Sequence, residues 1–161
     1  MAYIQKHFEK QAIIEIIDIK DLPVFYKVPG GKLPVQVQEF DEKIAQADGV
    51  IFATPEYDHS VPAVLMNAME WFSYVNHPFK DKPVLVTGVS YGSLGTSRAQ
   101  DHLKQILNAP EIGAKLMTSQ EFLVGRGFSA FDENGALKDA KLVSQLEEQF
   151  TKFDEFVNQN K

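Results

Sequence analysis

Two short runs constrain this chain more than anything else in it. Residues 49–54 (GVIFAT) and 84–89 (VLVTGV) are apolar almost throughout, with none of the polar alternation of a half-exposed strand. Strands apolar on both faces belong inside a parallel sheet that has helices above and below it. Parallel neighbours cannot be joined by a tight turn, so the chain between them must cross over. It does so through residues 62–75 (PAVLMNAMEWFSYV), whose apolar residues keep helical spacing and whose Pro62 suits a first helical turn.

The rest of the chain continues the alternation. Ile4 and Phe8 predict a short helix over residues 3–10, and the β-branched run 13–19 (IIEIIDI) predicts a strand ended by Pro23. Val37, Phe40, Ile44 and Ala47 mark an amphipathic helix, and Ala99, Leu103, Ile106 and Leu107 mark another over residues 96–108. Residues 115–124 read as a last strand. From Asp139 onward Leu142, Val143, Leu146, Phe150, Phe153 and Val157 form a closing helix. Alternating strands and helices predict an α/β fold with a doubly wound parallel sheet in three layers, α/β/α. At 161 residues with 44% hydrophobic content, residues 1–161 are expected to form one domain.

Charge and composition remove several function classes. The net charge is −6 and the 16 Lys and Arg are scattered, which argues against a nucleic-acid surface. There is no cysteine, so disulfides, thiolate chemistry and Cys-ligated zinc are excluded, and a reducing cytoplasm suits the chain. Neither an apolar signal core nor a membrane-length apolar run occurs, so no membrane association is expected. His59 stands between Asp58 and Ser60 without companions at ligand spacing, and no metal site is expected.

In such sheets ligands bind beyond the C-terminal ends of the strands. Two loops leave the sheet there: residues 54–61 (TPEYDHSV) and residues 90–96 (SYGSLGT). Each leads from a buried strand into a helix, bringing backbone N–H groups to the edge. Gly92 and Gly95, with Ser90, Ser93 and Thr96, leave room for a flat ligand to approach the main chain. A planar, hydrogen-bonding heterocycle fits better than a sugar or a metal. Flavin is one such ligand, with Tyr57 or Tyr91 against its apolar part.

The pair TPEYDHSVPAVLMNAMEWFS and SYGSLGTSRAQDHLKQIL resembles the two flavin-binding loops, with their following helices, of the NAD(P)H-dependent FMN reductase family, along most of the chain. That resemblance implies a flavodoxin-like fold and hydride transfer from NADPH or NADH through bound FMN to free flavin, a quinone or an azo compound. It implies that Pro55, Glu56, Tyr57 and Asp58 line the flavin ring and ribityl side, and that Ser90, Tyr91, Gly92 and Ser93 hold the pyrimidine end. No side chain is expected to act as a catalytic acid or base. Asp58 stands where the family more often has Asn, and Ser93 where it often has a second Gly. The alternative is a non-enzymatic flavodoxin-like electron carrier, or a shortened paralogue with impaired flavin binding.

The family's first strand and FMN-phosphate loop have no counterpart ahead of MAYIQKHF, so the N-terminal strand is expected to be missing. Residues 13–19 and 49–54 are then each expected to show an open pairing edge, and FMN to be held weakly. Helix 62–75 is apolar on two faces, with Leu65, Met69 and Phe72 offset from Val64, Ala68 and Val75. It predicts a homodimer or homotetramer through Leu65, Met69 and Phe72 of that helix, set against burial within its own domain. Trp71 is expected to pack rather than react.

Overall fold

The computed structural model describes residues 1–118 and 121–161. The order of elements is α1 (Ala2–His7), α2 (Val35–Gln46), β1 (Val50–Thr54), α3 (Ala63–Phe72), β2 (Pro83–Val89), α4 (Ser97–Leu107), β3 (Lys115–Leu116), β4 (Leu123–Val124), α5 (Gly127–Ala130) and α6 (Ala140–Gln159). β1 runs parallel to β2 from Val50 opposite Val84 to Thr54 opposite Gly88. On the other side β2 pairs in parallel with β3 at its start and with β4 at its end. Both predicted central strands therefore form, side by side.

Alternation along β2 sorts the layers. Val84 and Val86 belong to a core shared with Val37 and Ile44 of α2, Ala68, Met69 and Phe72 of α3, and Leu103 and Leu107 of α4. Leu85, from the opposite face, packs on Phe153 and Val157 of α6. α1 closes that second side, with Phe8 just beyond it stacked on Phe150 of α6 at 3.8 Å between ring centres. The predicted α/β/α layering follows from this burial of both sheet faces.

Two strand expectations need correction. Residues 13–19 are not a strand: the segment carries no ladder pairing among the described residues, and Ile13 is fully exposed. β-branched side chains favour an extended backbone, but a strand also requires a neighbour to take its N–H and C=O groups. Ile17 and Ile19 still pack on one core and Ile14 on the other, and the Ile14 carbonyl accepts from Gln5 Nε2 at 2.6 Å, so the run is anchored without a ladder. The predicted strand 115–124 divides into β3 and β4, because the chain leaves the ladder after Leu116 and returns at Leu123; Ser119 and Gln120 lie outside the described residues. Among the described residues β1 pairs on one side only, as its expected open edge requires, and Ile51 and Phe52 are half-buried.

Helix α3 buries one apolar face, and part of the other, inside the chain. Leu65, Ala68, Met69, Trp71 and Phe72 are all buried, leaving Val64 as its exposed large apolar residue. The reason lies in the segment after residue 20. Trp71 Nε1–H and Asn67 Nδ2–H both donate to the Pro23 carbonyl, at 2.7 and 3.0 Å, and Asn67 Oδ1 accepts from the Phe25 N–H at 2.7 Å. Phe25 then lies edge-on to Trp71 and Tyr74. Trp71 packs, as expected.

Candidate functional site

Because β1 and β2 are parallel neighbours, the loops that follow them emerge side by side at the C-terminal edge. The first loop is a tight reversal. Tyr57 and Ser60 exchange backbone hydrogen bonds of 3.0 and 2.8 Å, and the two residues between them, Asp58 and His59, have φ of +49° and +63°. Two successive left-handed residues make the mirror-image turn that Asn and Gly favour. Asp tolerates that conformation better than most residues with a side chain, which suits position 58. Tyr57 is left exposed at the base of the turn.

Glu56 ties this loop to the second one. Its Oε2 accepts from the backbone N–H groups of Arg98 and Ala99, at 3.1 and 3.3 Å, and its Oε1 lies 3.5 Å from the Arg98 guanidinium. The carboxylate thus occupies the N-terminus of α4, where unpaired N–H groups and the helix dipole favour an anion. Ser60 Oγ adds a 2.7 Å bond to His102 Nδ1 on the same helix. The first loop is thereby docked on the helix that the second loop leads into.

The second loop is held from the other side by a segment that sequence patterning did not single out. Ser90 N–H donates to Val124 O, Arg126 N–H to Gly92 O and Gly127 N–H to Ser90 O, at 2.8–3.0 Å. The β2–β4 pairing is in effect continued past the sheet into the loop. Gly125 and Gly127 permit it: a Cβ on Gly125 would lie 2.6 Å from Ser93 O, and one on Gly127 would lie 2.9 Å from Val89 Cγ1. The alternating glycines of VGRGF were the available signal for this third wall.

Where the second loop enters α4, Thr96 is fully buried with φ +72°, a strained conformation for a β-branched residue. Its hydroxyl accepts from Gln100 Nε2 at 3.0 Å, and Gln100 Nε2 also donates to Phe122 O. Gly88 beneath it has no room for a side chain, since a Cβ would stand 2.2 Å from Thr54 O and 2.3 Å from Thr96 Oγ1. The ends of β1, β2 and α4 therefore meet in one tightly packed floor.

Gly92 is different. A Cβ there would meet nothing within 4 Å, and its φ is one that any residue adopts. Neither backbone conformation nor packing requires glycine at this position, unlike positions 88, 95, 125 and 127. Tyr91 beside it is 70% exposed, so the edge offers a bare stretch of main chain next to an uncovered aromatic ring. No trio of His, Asp or Glu able to hold a metal ion occurs among the described residues.

Comparison with known proteins now decides the family. The family model for NADPH-dependent FMN reductase matches residues 1–129. The chain belongs to this family. It is 50% identical over 153 residues to the NADH:(hydroxy)cinnamate reductase subunit CrdA of Vibrio ruber, which covers 95% of this chain and 76% of that protein. It is 42% identical over 166 residues to NADH-dependent flavin reductase subunit 2 of Lactobacillus johnsonii, covering 98% and 87% respectively. Among solved structures, the flavoenzyme NAD(P)H:(acceptor) oxidoreductase FerB of Paracoccus denitrificans superposes with a TM-score of 0.86 at 26% identity, over 98% of this chain and 87% of that one. The flavodoxin-like fold expected of an FMN reductase is the fold observed.

Proposed function

We propose that this member of the FMN reductase family holds FMN across the edge formed by Pro55, Tyr57 and Asp58 of the first loop and Ser90, Tyr91, Gly92 and Ser93 of the second. Electrons then pass from NADH or NADPH to a free flavin or a quinone. The observation that carries the reading is Gly92. A glycine with open space around its Cα, flanked by an exposed tyrosine, leaves room for a flat ring to lie against the main chain. The chemistry comes from the cofactor, which when bound takes up a hydride from the dihydronicotinamide and gives electrons to the acceptor.

The chain's own residues bind and orient. The main chain of residues 90–93 supplies donors and acceptors for the polar rim of the ring system. Tyr57 and Tyr91 cover apolar surface and exclude water. Glu56, whose carboxylate is engaged with α4, sets the first loop at a fixed height over the second rather than meeting the ligand with its side chain.

Titration with FMN, followed by flavin fluorescence, tests the site. The wild-type chain should bind, and Gly92→Val should lose binding while keeping its melting temperature, because the added side chain meets no protein atom near its Cβ. Unchanged titration by the variant would remove the second loop from the site.

Two finer readings go with this one. The protein works in the cytoplasm, in keeping with its lack of cysteine. It assembles with a second copy around residues 62–75, now through the outer residues Val64 and Val75, 39% and 38% exposed, because Leu65, Met69 and Phe72 are already buried.

A further inference from the structure

The Gly-Arg-Gly segment that supports the second loop carries two features that its supporting role does not explain. The first is Arg126. It has φ +54°, the left-handed region where glycine is at ease, while the glycines stand on either side of it. Holding an arginine there costs energy that a third glycine would avoid. Its side chain is exposed and has no hydrogen bond or ion pair among the described residues, in a chain of net charge −6. By contrast Arg98, the other guanidinium at this edge, is paired with Glu56.

The second feature is Phe128. Its ring lies flat on Tyr91, with 3.8 Å between centres and 10° between planes. Stacking covers one face of each ring, yet Phe128 remains 79% exposed. With Tyr91, itself 70% exposed, it makes a contiguous aromatic patch beside the second loop, and contiguous exposed apolar surface marks a place where a ligand or partner sits. Arg126 and Phe128 are two residues apart, and the Arg126 backbone is bonded directly to Gly92.

We infer that Phe128 and Arg126 form the seat for the adenosine phosphate end of the nicotinamide co-substrate, Phe128 stacking on the purine and Arg126 pairing with a phosphate. The inference rests on the FMN reductase reading given above. A dinucleotide whose nicotinamide reaches the flavin must lay its other half on the same edge. That half is a flat heterocycle joined to anions, and the edge offers a free aromatic face beside an unpaired guanidinium. A quinone has the flat ring but not the charge, so the arginine selects the dinucleotide over the acceptor.

Three variants of the full chain test this: Phe128→Ala, Arg126→Gly and Arg126→Lys. Arg126→Gly relieves backbone strain, so its melting temperature should not fall and a lost function cannot be laid to misfolding. Adenosine 2′,5′-bisphosphate and 5′-AMP, titrated onto the flavin-free chain and read by ligand NMR, serve as probes independent of turnover. The wild type should bind both, and Arg126→Gly and Phe128→Ala should each weaken binding about tenfold, with Arg126→Lys in between.

In steady state, KM for the dinucleotide should rise in the same order while KM for a quinone and the dissociation constant for FMN stay put. A rise for NADPH alone places Arg126 on the 2′-phosphate, and an equal rise for NADH places it on the pyrophosphate; both support the seat. Unaltered nucleotide binding in both variants, or a change confined to the quinone KM, overturns it. Failure of the wild type to bind FMN strikes instead at the proposed function, and leaves the nucleotide titration readable.

Discussion

Glycine positions around the site divide by what a side chain would meet, and a left-handed turn beside them is built from residues that are not glycine. Asp58 and His59 both have positive φ. Each left-handed residue with a Cβ costs about 1–2 kcal/mol, so His59→Gly is expected to raise stability by roughly 1 kcal/mol in urea unfolding. The same variant also removes the imidazole, so FMN titration would show whether His59 itself touches the cofactor.

Asp41 on α2 makes a second residue-scale case. It is buried at 5% exposure, accepts from Asn76 Nδ2 at 2.7 Å through Oδ2, and leaves Oδ1 without a partner among the described residues. Burial pushes its carboxyl above the ordinary 3.8, against the opposing pull of Asn76 and His77. The folded chain therefore holds this proton more tightly than the unfolded chain does. The group's contribution is fully present below the unfolded value and is lost as pH rises through the raised folded value. Asp41→Asn should accordingly raise the melting temperature at pH 7 and gain little at pH 3.5. Equal shifts at the two pH values would remove Asp41 as the source.

Among the elements, the helices were legible because their apolar spacing reports a buried stripe whatever lies opposite. α2, α3, α4 and α6 begin and end within two or three residues of where periodicity puts them. The closing helix even shows its cap, Asp139 accepting from the Lys141 N–H at 2.8 Å. Strands were less legible, since pairing is not encoded in the strand itself. Residues 13–19 have the composition of a strand and lack the partner, and residues 115–124 were read as one strand where the ladder is interrupted.

Docking of the first loop on α4 through Glu56 belongs to this scale as well. Glu56→Ala removes the acceptor from two helix N–H groups, and the loss of such a cap should cost about 0.5–2 kcal/mol. FMN affinity should fall too, because the loops lose their common anchor. Glu56→Gln, which keeps an oxygen for the N–H groups, should recover most of both. A Gln variant as damaged as the Ala variant would show that the negative charge, rather than the hydrogen bonds, holds the loop.

For the molecule as a whole, the two layers of helices fix how much apolar surface remains for a partner. α3 spends most of its apolar side chains on the core and on residues 23–25. Exposed apolar residues lie in two other places: Tyr57, Tyr91, Leu94 and Phe128 on the loops beyond the C-terminal edge of the sheet, and Ile13, Val24, Tyr26 and Val35 on the stretch between α1 and the start of α2. Light scattering at micromolar concentration should give a mass of two or more 18.1 kDa chains, and Val64→Asp should lower it if residues 62–75 form the contact. A monomer mass for the wild type would contradict the assembly.

The sequence by itself determined the fold class, the two central strands and the loops that leave them, since each depends on local periodicity or on a residue type with one dominant physical use. It could not place Glu56 on α4, the 124–127 backbone under the second loop, or Phe128 on Tyr91. Those contacts join residues 34 to 43 positions apart, and a carboxylate, a carbonyl or a ring has many possible partners until the chain is folded. Tertiary structure also decided that α3 buries Leu65, Met69, Trp71 and Phe72 within its own chain and leaves Val64 outside, because the clasp of Asn67 and Trp71 on Pro23 closes over a surface that helical periodicity shows only as apolar.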